Sequence, residues 1–249
     1  MPKATDAIVL CGGEGLRLRS VTGDAPKGMA LVAGRPFLDL LLLQLQRHGF
    51  ERAILAVGYQ KEVIESHYGM AAFGISLTYS PETRPLGTGG AVRNALDLVT
   101  SDALLVMNGD SYTDVDLRAF VTAYRQAGAD GSVVVVPEDG RADCGSVVLD
   151  AGGRVVTFAE KKVAPGERYI NAGVYMMSRR LLDDIQTGTA VSLERDLLPR
   201  WLGHGSYITG IIHRGRCIDI GTPERYQSAQ NLLAGAETNT AEPHSEGQI

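Results

Sequence analysis

Several features that mark other classes of protein are scarce in this sequence of 249 residues. The net charge is −5 at neutral pH, so the chain lacks the broad positive surface with which proteins bind nucleic acid. No apolar run approaches the roughly 18 residues of a membrane-spanning helix, and the apolar stretch 7–11 is too short for a secretory signal. We therefore expect a soluble, cytoplasmic protein that binds neither nucleic acid nor a membrane.

Cysteine and histidine are also few, and neither follows the spacing of a disulfide or metal site. The three cysteines, Cys11, Cys144 and Cys217, are odd in number and contain no Cys-x-x-Cys pair, which favours reduced thiols. The five histidines lack the spacing of zinc ligands. Neither a disulfide framework nor a histidine or cysteine metal centre is expected.

Apolar segments in the first half of the chain alternate between the patterns of strands and helices. Continuous apolar strands are typical of a parallel sheet that helices cover on both faces. After residue 137 the pattern loosens, and short strands around the turn-forming residues 150–153 indicate an antiparallel insertion. The predicted strands are 7–11, 53–57, 75–79, 103–107, 132–137, 146–149, 155–158, 170–177, 207–213 and 217–220, and the predicted helices are 36–49, 61–68, 91–99, 117–128, 179–185, 193–202 and one that begins at Thr222.

These elements predict a single α/β domain over residues 1–234. Its core is a doubly wound, mostly parallel, Rossmann-like sheet with a small antiparallel insertion. Residues 235–249 are polar and show no periodicity, so we expect a disordered C-terminal tail there.

A glycine-rich loop, VLCGGEGLRLRSVTGDAPKG at residues 9–28, begins at the end of the first strand. It is not a dinucleotide-binding fingerprint, because Leu18 stands where that motif needs Gly or Ala. It is not a Walker A loop, because no Ser or Thr follows Lys27. Glycines let backbone N–H groups approach an anion, and Arg17 and Lys27 add positive charge. The loop is a candidate phosphate site, with a tight turn and a solvated face as the alternative.

Residues 12–29 resemble the signature loop, G-G-x-G-T-R-L followed by P-K-P-M, of the sugar-1-phosphate nucleotidyltransferases. The resemblance extends over about residues 6–232, because further motifs follow in the order of that family. Within it, the chain is most similar to guanylyltransferases that act on D-glycero-D-manno-heptose 1-phosphate. The further motifs are PLGTGGAV (85–92), MNGDS (107–111), FAEKK (158–162), INAGVY (170–175), SLERD (192–196) and IDIGTPERY (218–226).

The resemblance implies transfer of a nucleotidyl group from a nucleoside triphosphate to a sugar 1-phosphate, with release of pyrophosphate. GTP and a manno-configured heptose or hexose 1-phosphate are the favoured substrates, and Mg²⁺ is the implied cofactor. Transfer of a thymidylyl or uridylyl group to another hexose 1-phosphate is the alternative. A homo-oligomer is also compatible with the resemblance.

Two aspartates in separate strand motifs are the candidate metal ligands. Asp110 follows a predicted strand, and Asp219 lies in another one more than a hundred residues later. Ligands of open α/β sheets bind beyond the carboxyl ends of strands, and two carboxylates in one cleft repel each other without a cation. The resemblance implies that both bind one Mg²⁺. From the residues alone, two structural alternatives stay open: Asp110 caps a turn, and Asp219 is a capping residue or lies at a strand edge.

The resemblance also assigns the other site residues. Arg17 is expected on the β- and γ-phosphates, Lys27 on the α-phosphate and Lys161 on the sugar phosphate. An exposed charge at a strand end is the alternative for Lys161. The sugar hydroxyl groups are expected to contact Glu160, Asn171 and Gly173. The nucleotide is expected to contact Leu10, Cys11, Gly12, Gly13, Gly15, Arg17, Leu86, Gly87, Thr88, Gly89, Gly90, Asn108 and Gly109.

Two residues of the signature loop depart from the family pattern: Leu16 replaces a threonine and Gly28 replaces the second proline. These departures leave open the alternative that the chain is a non-catalytic regulatory or binding protein with the same fold. Glu194 and Asp196 have two possible interpretations. They belong to the site, or they lie in the first turn of a helix, where the helix dipole favours carboxylates.

Overall fold

A computed structural model of the chain describes residues 5–138, 146–159 and 168–238, and strands and helices alternate within them. The strands are β1 (Asp6–Leu10), β2 (Leu31–Val32), β3 (Arg35–Pro36), β4 (Arg52–Val57), β5 (Ala71–Ala72), β6 (Ile75–Pro81), β7 (Ala103–Asn108), β8 (Ser111–Thr113), β9 (Gly131–Pro137), β10 (Ser146–Leu149), β11 (Val155–Ala159), β12 (Tyr169–Ser178), β13 (Ile208–Ile212) and β14 (Cys217–Asp219). The α-helices are α1 (Arg19–Thr22), α2 (Phe37–Arg47), α3 (Lys61–Tyr68), α4 (Gly87–Ala95), α5 (Leu117–Ala127), α6 (Arg179–Asp183), α7 (Leu198–Gly203) and α8 (Pro223–Thr238).

The strands of the first half form the parallel part of the central sheet. Strands β7, β1, β4 and β6 lie side by side in that order, and each pair of neighbours is parallel. Strand β12 runs antiparallel to both β7 and β9, and the β10–β11 hairpin lies beyond it. The predicted doubly wound, mostly parallel sheet with an antiparallel insertion is confirmed.

Helices bury both faces of this sheet. Helices α2, α3 and α5 pack on one face, and α4, α6 and α7 pack on the other. The β1 residues Ala7, Ile8 and Val9 are fully buried for this reason, as the continuous apolar run predicts. Among the described residues, we find no helix that combines the length and apolar character of a membrane span.

Helix α8 packs against the segment that follows the signature loop. Gln230 accepts a hydrogen bond from Ala33 N at 2.9 Å and donates one to Leu31 O at 2.6 Å. Ala229 joins a small core cluster with Leu18 of the signature loop. The helix continues to Thr238, past the predicted end of the domain at residue 234, and residues 239–249 of the predicted tail lie outside the described residues.

The predicted nucleotide loop 86–90 lies mostly within the first turn of α4 and packs against residues 189–191. The N–H groups of Gly89 and Gly90 donate to Val191 O at 2.9 and 3.1 Å. A Cβ atom at Gly90 would overlap the carbonyl oxygen of Thr189. Close packing inside the protein therefore requires a glycine at position 90.

Asp6 at the start of β1 is a buried, charged anchor. Its carboxylate accepts hydrogen bonds from the N–H groups of Thr100 and Ser101 at 2.5 and 3.0 Å and from the Arg52 guanidinium at 3.2 Å. Burial raises the pKa of Asp6, but these bonds together outweigh it and leave the pKa below its ordinary value. The ionised side chain ties β1 and β4 to the segment before β7.

Asp6→Asn is expected to lower the free energy of unfolding by about 2 kcal/mol at pH 7, because hydrogen bonds to a charged group contribute roughly that much. The folded-state pKa lies below the unfolded value of about 3.9. The stabilisation is therefore complete above that pH and is lost as the pH falls through the folded-state pKa.

Urea denaturation at pH 7 and at about pH 3 measures this difference, which should shrink at the lower pH. Asp97→Asn, at a side chain that is 82% exposed, is the control and should change little. An Asp6→Asn effect of the same size at both pH values would contradict the role of the charge.

Gly90→Ala is expected to lower the free energy of unfolding by about 1–3 kcal/mol, because the added methyl group overpacks the contact with Thr189. Gly13→Ala is the matched control, since no atom lies within 4 Å of its Cβ position. Equal stability of the two variants in urea denaturation would contradict the packing explanation.

Candidate functional site

A cavity of about 730 Å³ opens beside the signature loop, at the carboxyl ends of β1 and β7. This is the edge at which open α/β sheets bind ligands, and the volume suits a small-molecule substrate. The predicted site residues that line it are Leu10, Cys11, Gly12, Gly13, Gly15, Arg17, Lys27, Gly87, Thr88, Asn108, Gly109 and Asp110.

Other predicted residues lie beside the cavity or away from it. Leu86 and Gly89 do not line it, since Leu86 is buried and Gly89 packs on Val191. Gly173 lies against the side chain of Asn108, so the β12 strand borders the cavity from behind that residue. Glu160 and Lys161 lie outside the described residues. A second cavity, of about 750 Å³, lies around Arg52 and Arg118 and contains none of the predicted residues.

Lys27 and Asp110 form an ion pair that joins the signature loop to the end of β7. The Lys27 Nζ donates to Asp110 Oδ2, and the lysine side chain is only 15% exposed. Burial by itself raises the pKa of Asp110, but the charge and hydrogen bond of Lys27 hold that pKa below its ordinary value. Asp110 is therefore a carboxylate at neutral pH.

Asp219 lies next to Asp110 because β14 pairs with β8. In that pairing Asp219 is opposite Ser111, whose Oγ lies 3.1 Å from Asp110 Oδ1 and 3.4 Å from Asp219 Oδ2. Asp219 Oδ1 also accepts hydrogen bonds from Gly221 N at 2.7 Å and from Arg225 at 3.1 Å. The fold thus brings together the two aspartates that the sequence separates by more than a hundred residues.

The two aspartates have the donor chemistry of a magnesium site that is completed by a substrate. Carboxylate oxygens are preferred Mg²⁺ ligands, and Mg²⁺ is commonly held by one or two carboxylates together with substrate phosphates and water. Within the described residues no group of three or more histidine, cysteine or acidic side chains is arranged to hold a metal. Asp110 and Asp219 fit an ion of that kind, and their role as its ligands stays a prediction.

A partly buried hydrogen-bond network connects the nucleotide loop to the β12 strand through Glu194. Its carboxylate accepts from Thr88 Oγ1 at 2.6 Å and from the hydroxyl group of Tyr175 at 3.0 Å. The Tyr175 hydroxyl in turn accepts from Asn171 Nδ2 at 2.6 Å. Glu194 therefore connects the nucleotide loop to the β12 strand. The Asp196 carboxylate has a different partner: it accepts a hydrogen bond from Ser192 N at 2.8 Å, next to the turn that Ser192 caps.

The two departures from the family pattern fit the local structure. Leu16 is 63% exposed at the cavity and is not part of the packed core. Gly28 lies in a 3₁₀ turn, Lys27–Met29. A proline at position 28 would push Lys27 out of the helical region. Lys27 is held in place by Asp110, not by a proline.

Cys11 lines the cavity but is not a nucleophile at neutral pH. The side chain is buried, and burial together with the charge of Asp110 raises the pKa of its thiol to about 12. The thiol therefore stays protonated at neutral pH, the form in which a cysteine is a poor nucleophile.

Glu82 is a site residue that the sequence motifs did not reveal. It directly follows β6 and lines the cavity, where its Oε2 accepts a hydrogen bond from Leu86 N at 2.9 Å. Its position after a predicted parallel strand was the available signal, because the carboxyl ends of such strands meet at one edge of the sheet.

Comparison with known proteins agrees with the predicted resemblance. The family model described as nucleotidyl transferase matches residues 6–235. Mannose-1-phosphate guanylyltransferase of Mycobacterium tuberculosis is 37% identical over 239 residues, which cover 95% of this chain and 67% of that protein. D-glycero-alpha-D-manno-heptose 1-phosphate guanylyltransferase of Aneurinibacillus thermoaerophilus is 36% identical over 228 residues, with coverage of 92% and 98%.

A solved structure shares the fold over nearly the same range. The crystal structure of HddC from Yersinia pseudotuberculosis complexed with GMP-PN matches with a TM-score of 0.79 and 31% identity, and covers 92% of this chain and 99% of that one. The family model spans most of the chain, and both relatives exceed 30% identity. The chain therefore belongs to the nucleotidyl transferase family and is an enzyme that transfers a nucleotidyl group to a sugar 1-phosphate.

Proposed function

We propose that this enzyme transfers the guanylyl group of GTP to a manno-configured heptose or hexose 1-phosphate and forms a GDP-sugar and pyrophosphate. The observation that carries the proposal is one cavity whose lining combines cationic side chains with small residues. Lys27 and Arg17 supply positive charge for phosphates, and Gly13 and neighbouring small residues leave room for a base. The guanylyltransferase names of the two relatives support the choice of GTP.

In the proposed reaction, an oxygen of the sugar phosphate attacks the α-phosphorus of GTP, and the bond from that phosphorus to the bridging oxygen of pyrophosphate breaks. A phosphate monoester has a second pKa of about 6, so the nucleophile is already ionised at neutral pH and needs no base. The remaining barrier comes from repulsion between two polyanions and from their alignment. Positive charge and positioning are therefore the main contributions of the protein.

The cationic side chains in the cavity have the charge that this chemistry requires. We assign Arg17 to the β- and γ-phosphates and Lys27 to the α-phosphate. Asn171 and Gly173, together with Glu160 and Lys161 outside the described residues, are assigned to the sugar phosphate and its hydroxyl groups. Asp110 and Asp219 would hold Mg²⁺, which, when bound, offsets the negative charge of the phosphates. With GTP as a substrate and a cysteine pattern that favours reduced thiols, a cytoplasmic location is the natural one.

A panel of nucleoside triphosphates against several sugar 1-phosphates, with pyrophosphate release as the readout, tests the substrate assignment. GTP with a manno-configured heptose or hexose 1-phosphate should give the highest kcat/KM, and neither substrate alone should release pyrophosphate. A higher kcat/KM with dTTP or UTP would contradict the guanylyl assignment and leave the family assignment intact.

Asp110→Asn is expected to lower kcat by about a hundredfold or more, because it removes a ligand charge at constant size and leaves Lys27 without its partner. Asp114→Asn is the matched control. Its carboxylate pairs with His213 at 2.6 Å, away from the cavity, so kcat should change little. Near wild-type turnover of Asp110→Asn at limiting Mg²⁺ would contradict the metal assignment.

A further inference from the structure

Glu82 lies far along the cavity from the ion pair of Lys27 and Asp110. It follows β6, whereas Asp110 follows β7, and β1 and β4 separate these two strands. At about 4.8 Å per strand, this order puts roughly 14 Å between the two strand ends. One cavity reaches both side chains. A nucleotide with its phosphates near Lys27 would therefore extend its base toward Glu82.

The Glu82 carboxylate is held in place but only partly satisfied by the protein. Its Oε2 accepts from Leu86 N, and its Oε1 lies so close to Gly12 that a Cβ atom there would overlap it. No ion pair with a described residue compensates its charge. Burial raises the pKa of Glu82, and the Leu86 N–H opposes that effect. A carboxylate in this position favours a ligand that brings N–H donors.

Among the common bases, guanine alone matches such an acceptor with two adjacent donors, its N1–H and its 2-amino group. Uracil and thymine present one N–H between two carbonyl groups, and adenine and cytosine present an amino group beside a ring acceptor. A carboxylate accepts two parallel hydrogen bonds in the same way from arginine. The other bases would place an acceptor against the negative charge.

We propose that Glu82 is the residue that selects guanine, by accepting hydrogen bonds from N1–H and the 2-amino group. The small residues around it are consistent with this role, since Gly12 leaves room for the carboxylate itself and Gly13, with no atom within 4 Å of its Cβ position, lets a flat base lie against the backbone. The inference rests on the proposed guanylyl transfer and deepens it, because it assigns the choice of base to one side chain.

A structural role for Glu82 would have a different consequence. Leu86 is the residue before α4, so the hydrogen bond from Leu86 N also stabilises the start of that helix. If this were the whole role, a substitution would lower stability and affect all nucleotides alike. A base-reading role changes the ratio between nucleotides that differ only at the atoms Glu82 contacts.

The test compares GTP with ITP, which lacks only the 2-amino group, and with UTP. The wild-type enzyme should prefer GTP to ITP by about tenfold to a hundredfold in kcat/KM, as expected for a lost hydrogen bond to a charged group. Glu82→Gln should bring the GTP/ITP ratio close to one and raise the UTP/GTP ratio, because an amide offers one acceptor and one donor. Glu62→Gln, at an exposed position on α3 outside the cavity, should preserve both ratios.

Two results would overturn the inference: equal use of GTP and ITP by the wild type, or unchanged ratios in Glu82→Gln, as a uniform loss of activity with every nucleotide would give. If Glu82→Gln folds poorly in thermal denaturation, Glu82→Asp replaces it and should also lower the GTP/ITP ratio. Calorimetric measurement of the affinities for GDP and IDP separates the role of Glu82 from the proposed guanylyl transfer. No transfer from GTP with any sugar would refute the proposed function, while the GDP/IDP affinity ratio would still decide the role of Glu82.

Discussion

The close contact between the ends of β1 and β7 sets the geometry of the whole site. Gly109 N donates to Leu10 O at 2.9 Å, and a Cβ atom at position 109 would overlap that carbonyl oxygen. Only glycine allows the ends of the two strands to approach this closely. Asp110, the next residue, is thereby brought beside Lys27 of the signature loop, and the cavity forms between these two segments.

Charge balance at this edge depends on pairs between distant parts of the chain. Asp110 pairs with Lys27, and Asp219 pairs with Arg225 of α8. Two neighbouring carboxylates would otherwise repel each other, so each cation stabilises the site before any ligand binds. In the proposed reaction, Lys27 is already held at the cavity before the phosphates arrive, which limits the reorganisation that substrate binding requires.

The two ends of the cavity are built by different means. The phosphate end is formed by residues of recognisable motifs, because glycines and fixed cations serve any nucleotide. At the proposed base end, Glu82 reaches the cavity only because β6 lies beyond β4 and runs parallel to it. Behind the nucleotide loop, Glu194 bonds to both Thr88 and Tyr175, which connects this end to the β12 strand.

Local sequence patterns determined the strands, most helices and the glycine-rich loop, because apolar periodicity and turn residues act over a few positions. Tertiary structure decided which of these segments meet. The pairing of β14 with β8 brought Asp219 to Asp110, and packing on residues 189–191 placed most of the predicted loop 86–90 in the first turn of α4. Strand order and register depend on contacts between residues far apart in the chain, and no local period records them.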